Sequence, residues 1–222
     1  MDGIVINIDP VALTLGHYHV TWYSLIILLA IAAAIGLAVW EGKKKGFSAD
    51  SILNLAPWVI LGGMIGAWLF HVIDKWSYYA GNPLQMFAVW QGGLAIWGAL
   101  AGGVVAAIIY ARLKQIPFLK LADTLVPALL AAQIIGRFAC IINGDAAGGA
   151  TSLPWGFTYI HPNALVPSGL SGVPTHPYPV YDQLWNLLGL GVALKLRHQF
   201  KTDGLLFMTY LSIYAAGRLV FS

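Results

Sequence analysis

The feature that most constrains this chain is the recurrence of apolar stretches of membrane-spanning length. Six stand out, at about His19 to Trp40, Ser51 to Val72, Phe87 to Ala111, Leu119 to Ile142, Pro179 to Leu196 and Gly204 to Phe221. A helix needs about 20 apolar residues to cross a bilayer. Backbone polar groups in lipid must be paired within their own segment, and these stretches are too long for barrel strands, so each predicts a helix. Only 9% of the residues are charged and 59% are hydrophobic, whereas a soluble domain carries roughly a quarter charged residues. An ordinary soluble domain and a disordered chain are both excluded. The expected fold is all-α, a polytopic membrane helical bundle of about six transmembrane helices, forming a single integral membrane domain over residues 1–222.

Charge sets the orientation. Lys43, Lys44 and Lys45 follow the first stretch, Arg112, Lys114 and Lys120 bracket the loop after the third, and Lys195, Arg197 and Lys201 follow the fifth. Cytoplasmic loops collect Lys and Arg, so these connections face the cytoplasm and the N-terminus lies outside. The segment before the first stretch carries Asp2 and Asp9 but no Lys or Arg; it lacks the basic region of a signal peptide, and the first span is expected to be retained. The net charge of +3 does not indicate a nucleic-acid partner, because the basic residues sit between apolar spans. The single cysteine, Cys140, cannot form an intramolecular disulfide, and no Cys/His metal spacing occurs, so neither a metal nor another cofactor is expected.

The outer connections are the long ones, Asp74 to Met86 and an extracytoplasmic loop at about 143–178 that holds Pro154, Pro162, Pro167, Pro174 and Pro177. A loop of that length in a compact protein is usually functional. Trp76, Tyr78, Tyr79, Trp155 and Tyr159 suit a membrane–water interface. Gly62 and Gly66, and Gly98 and Gly102, have the small-xxx-small spacing that lets helices approach closely.

Arg137 is the sharpest chemical signal, because a guanidinium in an apolar helix is expensive and normally faces a partner, the bundle interior or a water-filled cavity. The fourth span runs outward, which places Arg137 in its outer third, shortly before Asn143 and Asp145. The guanidinium fork matches phosphate oxygens, so a phospholipid headgroup is a natural ligand. Its alternatives are an ion pair with Asp145 or Asp182, or snorkelling to the interface. Arg218, Tyr23, His176, Tyr181 and Asp182 fall at the same outer depth, and His71 lies near it. Such convergence at one face points to a site at the outer-leaflet headgroup level. Asp123, near the cytoplasmic start of the fourth span, reads as a solvated or helix N-terminal carboxylate. No nucleophile elbow, zinc-protease motif or P-loop is found.

These residues resemble the prolipoprotein diacylglyceryl transferase family of bacterial inner-membrane enzymes. The similarity runs from Trp22-Tyr23 through Val89-Trp90-Gln91-Gly92-Gly93-Leu94 to Gly136-Arg137-Phe138-Ala139-Cys140-Ile141-Ile142-Asn143-Gly144-Asp145. It continues with His176-Pro177-Tyr178-Pro179-Val180-Tyr181-Asp182 and Tyr214-Ala215-Ala216-Gly217-Arg218. The resemblance implies transfer of a diacylglyceryl group from phosphatidylglycerol to the lipobox cysteine thiol of a prolipoprotein signal peptide, with release of glycerol phosphate. It makes phosphatidylglycerol, prolipoprotein and membrane lipid the expected partners, and the bacterial cytoplasmic membrane the expected location.

On this resemblance Arg137 holds the phosphate and stabilises charge on the leaving group, and Arg218 is a second phosphate contact or guards the thiol entrance. Tyr23, Asn143 and Tyr181 orient the headgroup, Asp145 stands where the family usually has Glu, and His176 is a loop anchor beside the substrate. Three positions depart from the family pattern. The His of the family's His-Gly-Gly-Leu motif, proposed as a catalytic base, is Trp97; the Arg expected in the second span is Trp68; and the Asn after the motif Arg is Cys140. Family members continue past Arg218 to a further helix, whereas this sequence ends at Ser222. With Trp97 unable to take a proton, Asp145, His71, His176 or the field of the arginines must ionise the thiol. The competing expectation is a non-catalytic relative that binds anionic lipid or a lipoprotein precursor.

Overall fold

The computed structural model describes residues 3–81, 85–86 and 95–221. The elements run β1 (Ile4–Ile6), β2 (Val11–Leu15), β3 (Tyr18–Thr21), α1 (Trp22–Lys44), α2 (Ala49–Asp74), α3 (Trp76–Ala80), α4 (Ile96–Leu113), α5 (Phe118–Asn143), β4 (Phe157–Tyr159), β5 (Pro174–Thr175), α6 (Tyr178–Leu196) and α7 (Leu205–Phe221). A helix overlaps each of the six predicted spans, and the protein is a polytopic helical membrane protein. Among the described residues four helices, α1, α2, α4 and α5, are long and apolar enough to cross a membrane on their own; α7 is a shorter apolar helix.

Two boundaries differ from the hydropathy reading. His19 to Thr21 belong to β3, so the first helix begins at Trp22. The third begins at Ile96, after Ala95 in extended conformation (φ −87°, ψ 122°). The motif at 89–94 lies outside the described residues.

The chain forms two compact units, Met1–Ala38 with Asp123–Ser222, and Val39–Ala122. In the second, α2 and α4 cross at the predicted glycines. A Cβ built on Gly66 would sit 2.3 Å from the Gly98 carbonyl oxygen, and one on Gly102 would sit 2.2 Å from that of Gly62. Only glycine permits this approach, and close van der Waals packing is what holds helices together where lipid removes the hydrophobic drive. The buried Tyr110 adds a polar tie, its hydroxyl donating to the Ser51 carbonyl at 2.8 Å. Beside this crossing runs an apolar groove of about 710 Å³. In the same unit His71 packs against the rings of Trp68 and Tyr79, at 5.7 and 5.9 Å between centroids.

In the first unit Val126 and Leu130 of α5 pack with Ala193 of α6 and Leu206 of α7. Polar side chains staple the same helices: Gln183 donates to the Ile134 carbonyl at 3.0 Å, and Gln133 to the Tyr210 hydroxyl at 2.8 Å. Asp123 is buried rather than solvated, and it accepts from the backbone N–H groups of Gly204 and Phe207, each at 2.8 Å. It is a helix N-terminal carboxylate, but for α7 and not for its own helix. The first turn of α7 has no acidic residue of its own, and the orphan donors of a helix start need an acceptor.

The segment between α5 and α6 carries the small sheet that the apolar pattern does not announce. β4 pairs in parallel with β1, Ile4 opposite Phe157, and antiparallel with β5. β2 and β3 form a separate antiparallel hairpin that leads directly into α1.

Candidate active site

The site is built where α5 ends. Gly144 adopts φ +79° and its N–H donates to the Cys140 carbonyl at 2.9 Å, closing the helix with a left-handed residue as C-terminal caps do. A side chain there would also meet Val166 at 3.0 Å and the Tyr159 ring at 3.3 Å. Glycine is therefore required twice, for conformation and for space. The buried Asn143 closes the last turn, and its carbonyl accepts from Leu165 N at 2.8 Å. Asp145 follows, exposed to solvent.

Arg137 lies in the last two turns of α5 and forms an ion pair with Asp182, near the start of α6. Of the two expected acidic partners, Asp182 is thus the one engaged. The Arg137 side chain is 30% exposed and that of Asp182 13%, so the carboxylate is the deeper member and the guanidinium the more open one. A guanidinium has five donors; a single carboxylate orients it and leaves others directed elsewhere. Its Nη1 also lies 3.8 Å from Cys140 Sγ. The ion pair and a phosphate ligand are consequently compatible readings of the same residue.

Tyr23, in the first turn of α1, is within electrostatic reach of Cys140, Asp145 and Arg137. Tyr159 approaches from β4, donating to the Ile141 carbonyl at 3.0 Å. Burial pushes its hydroxyl up to about 12, and the negative charges of Asp145 and Cys140 add in the same direction. The structure therefore gathers Arg137, Asp182, Cys140, Tyr23 and Asp145 around the end of α5.

Tyr181 and His176 form a neighbouring cluster. His176 Nδ1 lies 3.3 Å from the Tyr181 hydroxyl, Trp155 Nε1 donates to that hydroxyl at 3.1 Å, and the His176 ring stacks on Tyr178. Gly148, which the sequence reading did not single out, completes this cluster. Its N–H donates to the His176 carbonyl at 2.9 Å, and a Cβ on it would meet His176 Cβ at 2.9 Å. The only sequence signal was a glycine pair in a loop, which is common to many turns.

Arg218 stands on α7, placed through α6. Trp185, one turn along α6 from Asp182, donates from Nε1 to the Ile213 carbonyl at 2.8 Å. A Cβ on Gly217 would lie 2.4 Å from that nitrogen. The glycine lets the indole lie against α7, one residue before Arg218. Trp97 lies in the first turn of α4, 69% exposed.

Comparison with known proteins gives the family. The sequence profile described as prolipoprotein diacylglyceryl transferase matches residues 10–222. A phosphatidylglycerol–prolipoprotein diacylglyceryl transferase of Clostridioides difficile (strain 630) is 39% identical over 210 residues, covering 95% of this chain and 80% of that protein. Proteins of the same name from Nostoc sp. (strain PCC 7120) and Lactobacillus acidophilus (strain NCFM) are each 36% identical. They cover 95% and 98% of this chain, and 76% and 78% of their own lengths. With this match over nearly its whole length, the chain belongs to the prolipoprotein diacylglyceryl transferase family.

Proposed function

We propose that this chain transfers the diacylglyceryl group of phosphatidylglycerol to the lipobox cysteine of prolipoproteins, at the outer-leaflet headgroup level of the bacterial cytoplasmic membrane. The observation that carries the reading is Arg137, a partly open guanidinium held by Asp182 beside the polar end of α5. A phosphodiester is the anion that every phosphatidylglycerol molecule presents at that depth. Arg137 binds its oxygens, with Arg218 as the second cation.

In the chemical step the lipobox sulfur attacks the glycerol carbon esterified to phosphate. A carbon–sulfur bond forms, the carbon–oxygen bond breaks, and the bonding pair leaves on the phosphate oxygen of glycerol phosphate. Negative charge grows on that oxygen, and the guanidinium stabilises it more in the transition state than in the ground state; removing one such donor typically costs about 10²–10³ in rate. The thiol proton needs an acceptor. Trp97 has none to offer, and the His176 Nδ1 faces the Tyr181 hydroxyl. Asp145, exposed at the end of α5, is the carboxylate assigned to take it. Tyr23, Asn143 and Tyr181 orient the headgroup, with His176 fixing the loop that bears Tyr181.

The experiment is mass spectrometry of a lipobox peptide incubated with purified protein and phosphatidylglycerol. A gain of one diacylglyceryl unit on the cysteine, with equimolar glycerol phosphate, supports transfer. Trp97 in place of the motif His favours one competing reading, a relative that binds lipid or precursor without alkylating the thiol. That reading requires lipid binding with no mass gain while an active family member modifies the same peptide.

A further inference from the structure

The hairpin of β2 and β3 has a chemistry that the transfer reaction does not use. Its register pairs Leu13 with Val20, Thr14 with His19 and Leu15 with Tyr18. Paired residues in an antiparallel ribbon share a face, so Leu13, Leu15, Tyr18 and Val20 line one side and Thr14 and His19 the other. The polar side is self-contained, with Thr14 Oγ1 and His19 Nδ1 at 3.2 Å. The apolar side is open: Leu13 is 53% exposed, Leu15 58% and Tyr18 80%.

A lone two-stranded ribbon is marginally stable in water and needs a surface for its apolar face. Three observations say which surface. β3 ends at Thr21 and the membrane-spanning α1 begins at Trp22, so the hairpin is continuous with the lipid-facing start of a span. Trp22 is exposed there, as aromatic residues at a bilayer interface are. The base is also fixed: Trp22 N donates to the Pro10 carbonyl at 3.0 Å, while Asp9 accepts from Val11 N at 2.9 Å and from Asn163 Nδ2 at 3.2 Å. The ribbon is thus tethered at its base to the outer loop as well as to the helix.

We propose that the apolar face of this hairpin lies on the outer leaflet of the membrane, with Leu13, Leu15 and Tyr18 seated at the boundary between headgroups and acyl chains. The depth is limited by the backbone. Each strand has an outer edge whose N–H and C=O groups need water, so the ribbon stays in the hydrated interface and does not enter the hydrocarbon core. Thr14 and His19 face the aqueous side. This surface holds whether or not the transfer reading holds, since it rests on α1 and the hairpin alone.

The test is the collision accessibility of nitroxide spin labels in nanodiscs of phosphatidylcholine and phosphatidylglycerol. Labels are placed singly at Leu15→Cys and Tyr18→Cys, and at Thr14→Cys and His19→Cys, in a Cys140→Ala background. Two positions per face, each checked for an unchanged thermal midpoint, prevent one misfolded variant from deciding the result. The expected result is a high ratio of oxygen to nickel-chelate accessibility at 15 and 18, several-fold above that at 14 and 19. Equal nickel accessibility on both faces would overturn the proposal by showing a hairpin in water. So would shielding at 15 and 18 from both probes with label–label broadening, the mark of a second copy, or shielding that arises only when a precursor peptide is added.

Discussion

If Asp182 holds the Arg137 guanidinium in place for the lipid phosphate, removing its carboxylate should damage transfer through Arg137 and by no other route. The structural cost can be bracketed. Breaking a fully buried pair by removing one member costs about 3–5 kcal/mol, and an exposed pair is worth about 1 kcal/mol or less. With the side chains 30% and 13% exposed, Asp182→Ala should destabilise the protein by about 1–3 kcal/mol, screened by the water that reaches Arg137. If half of that orientation energy is needed in the transition state, kcat/KM for the lipid falls by roughly two- to thirteenfold, since 1.36 kcal/mol is a factor of ten. Asp182→Asn keeps a hydrogen-bond acceptor and should fall less; Asp182→Glu should recover part of the rate. The decisive assay is a double-mutant cycle on peptide lipidation. The Arg137→Ala/Asp182→Ala pair should be no slower than Arg137→Ala alone. Additive losses, or full activity in Asp182→Ala, would refute a positioning role.

Three further outcomes follow from the same geometry. Asp123→Ala leaves two helix-start donors of α7 without their acceptor and should cost about 2–4 kcal/mol, read as a lower thermal unfolding midpoint in detergent; Asp123→Asn should lose less. Gly66→Ala forces a methyl to within 2.3 Å of the Gly98 carbonyl oxygen and should destabilise the α2–α4 crossing by about 1–3 kcal/mol, measured in the same way. Tyr159 stabilises its neutral form in the fold, its hydroxyl pushed from 10.0 to about 12 by burial. That contribution is complete below pH 10 and is lost as the pH rises towards about 12, because the unfolded chain ionises first. Tyr159→Phe should flatten this alkaline fall in stability while losing the hydrogen bond to the Ile141 carbonyl.

Hydropathy revealed the helices because lipid imposes one requirement on every span, and that requirement is written locally. Arg137 was legible for the same reason, as a charge where charge is costly. The glycine pairs were legible in spacing, and the structure shows 62 and 66 facing 98 and 102 so closely that a Cβ on any of the four would clash. What the sequence concealed is non-local. Ile4 to Ile6 pair with residues about 150 positions away, and no periodicity in a three-residue strand announces it. Asp123 offered a charge near a helix start, but only tertiary structure shows that the helix it caps begins at 205. Of the two acids weighed for Arg137, Asp145 was nearer in sequence and Asp182 in space. The start of α4 at Ile96 was hidden because the apolar run continues through 87–94, and composition alone does not mark where a helix begins.

The most direct measurement is the rate of lipobox-peptide diacylglycerylation by Arg137→Ala beside the unaltered protein and Trp97→His, in detergent with phosphatidylglycerol in excess. A guanidinium that stabilises the leaving phosphate predicts transfer lost in Arg137→Ala, by about 10²–10³-fold or more, with activity preserved in Trp97→His. Full activity in a folded Arg137→Ala protein would contradict the assignment of this site.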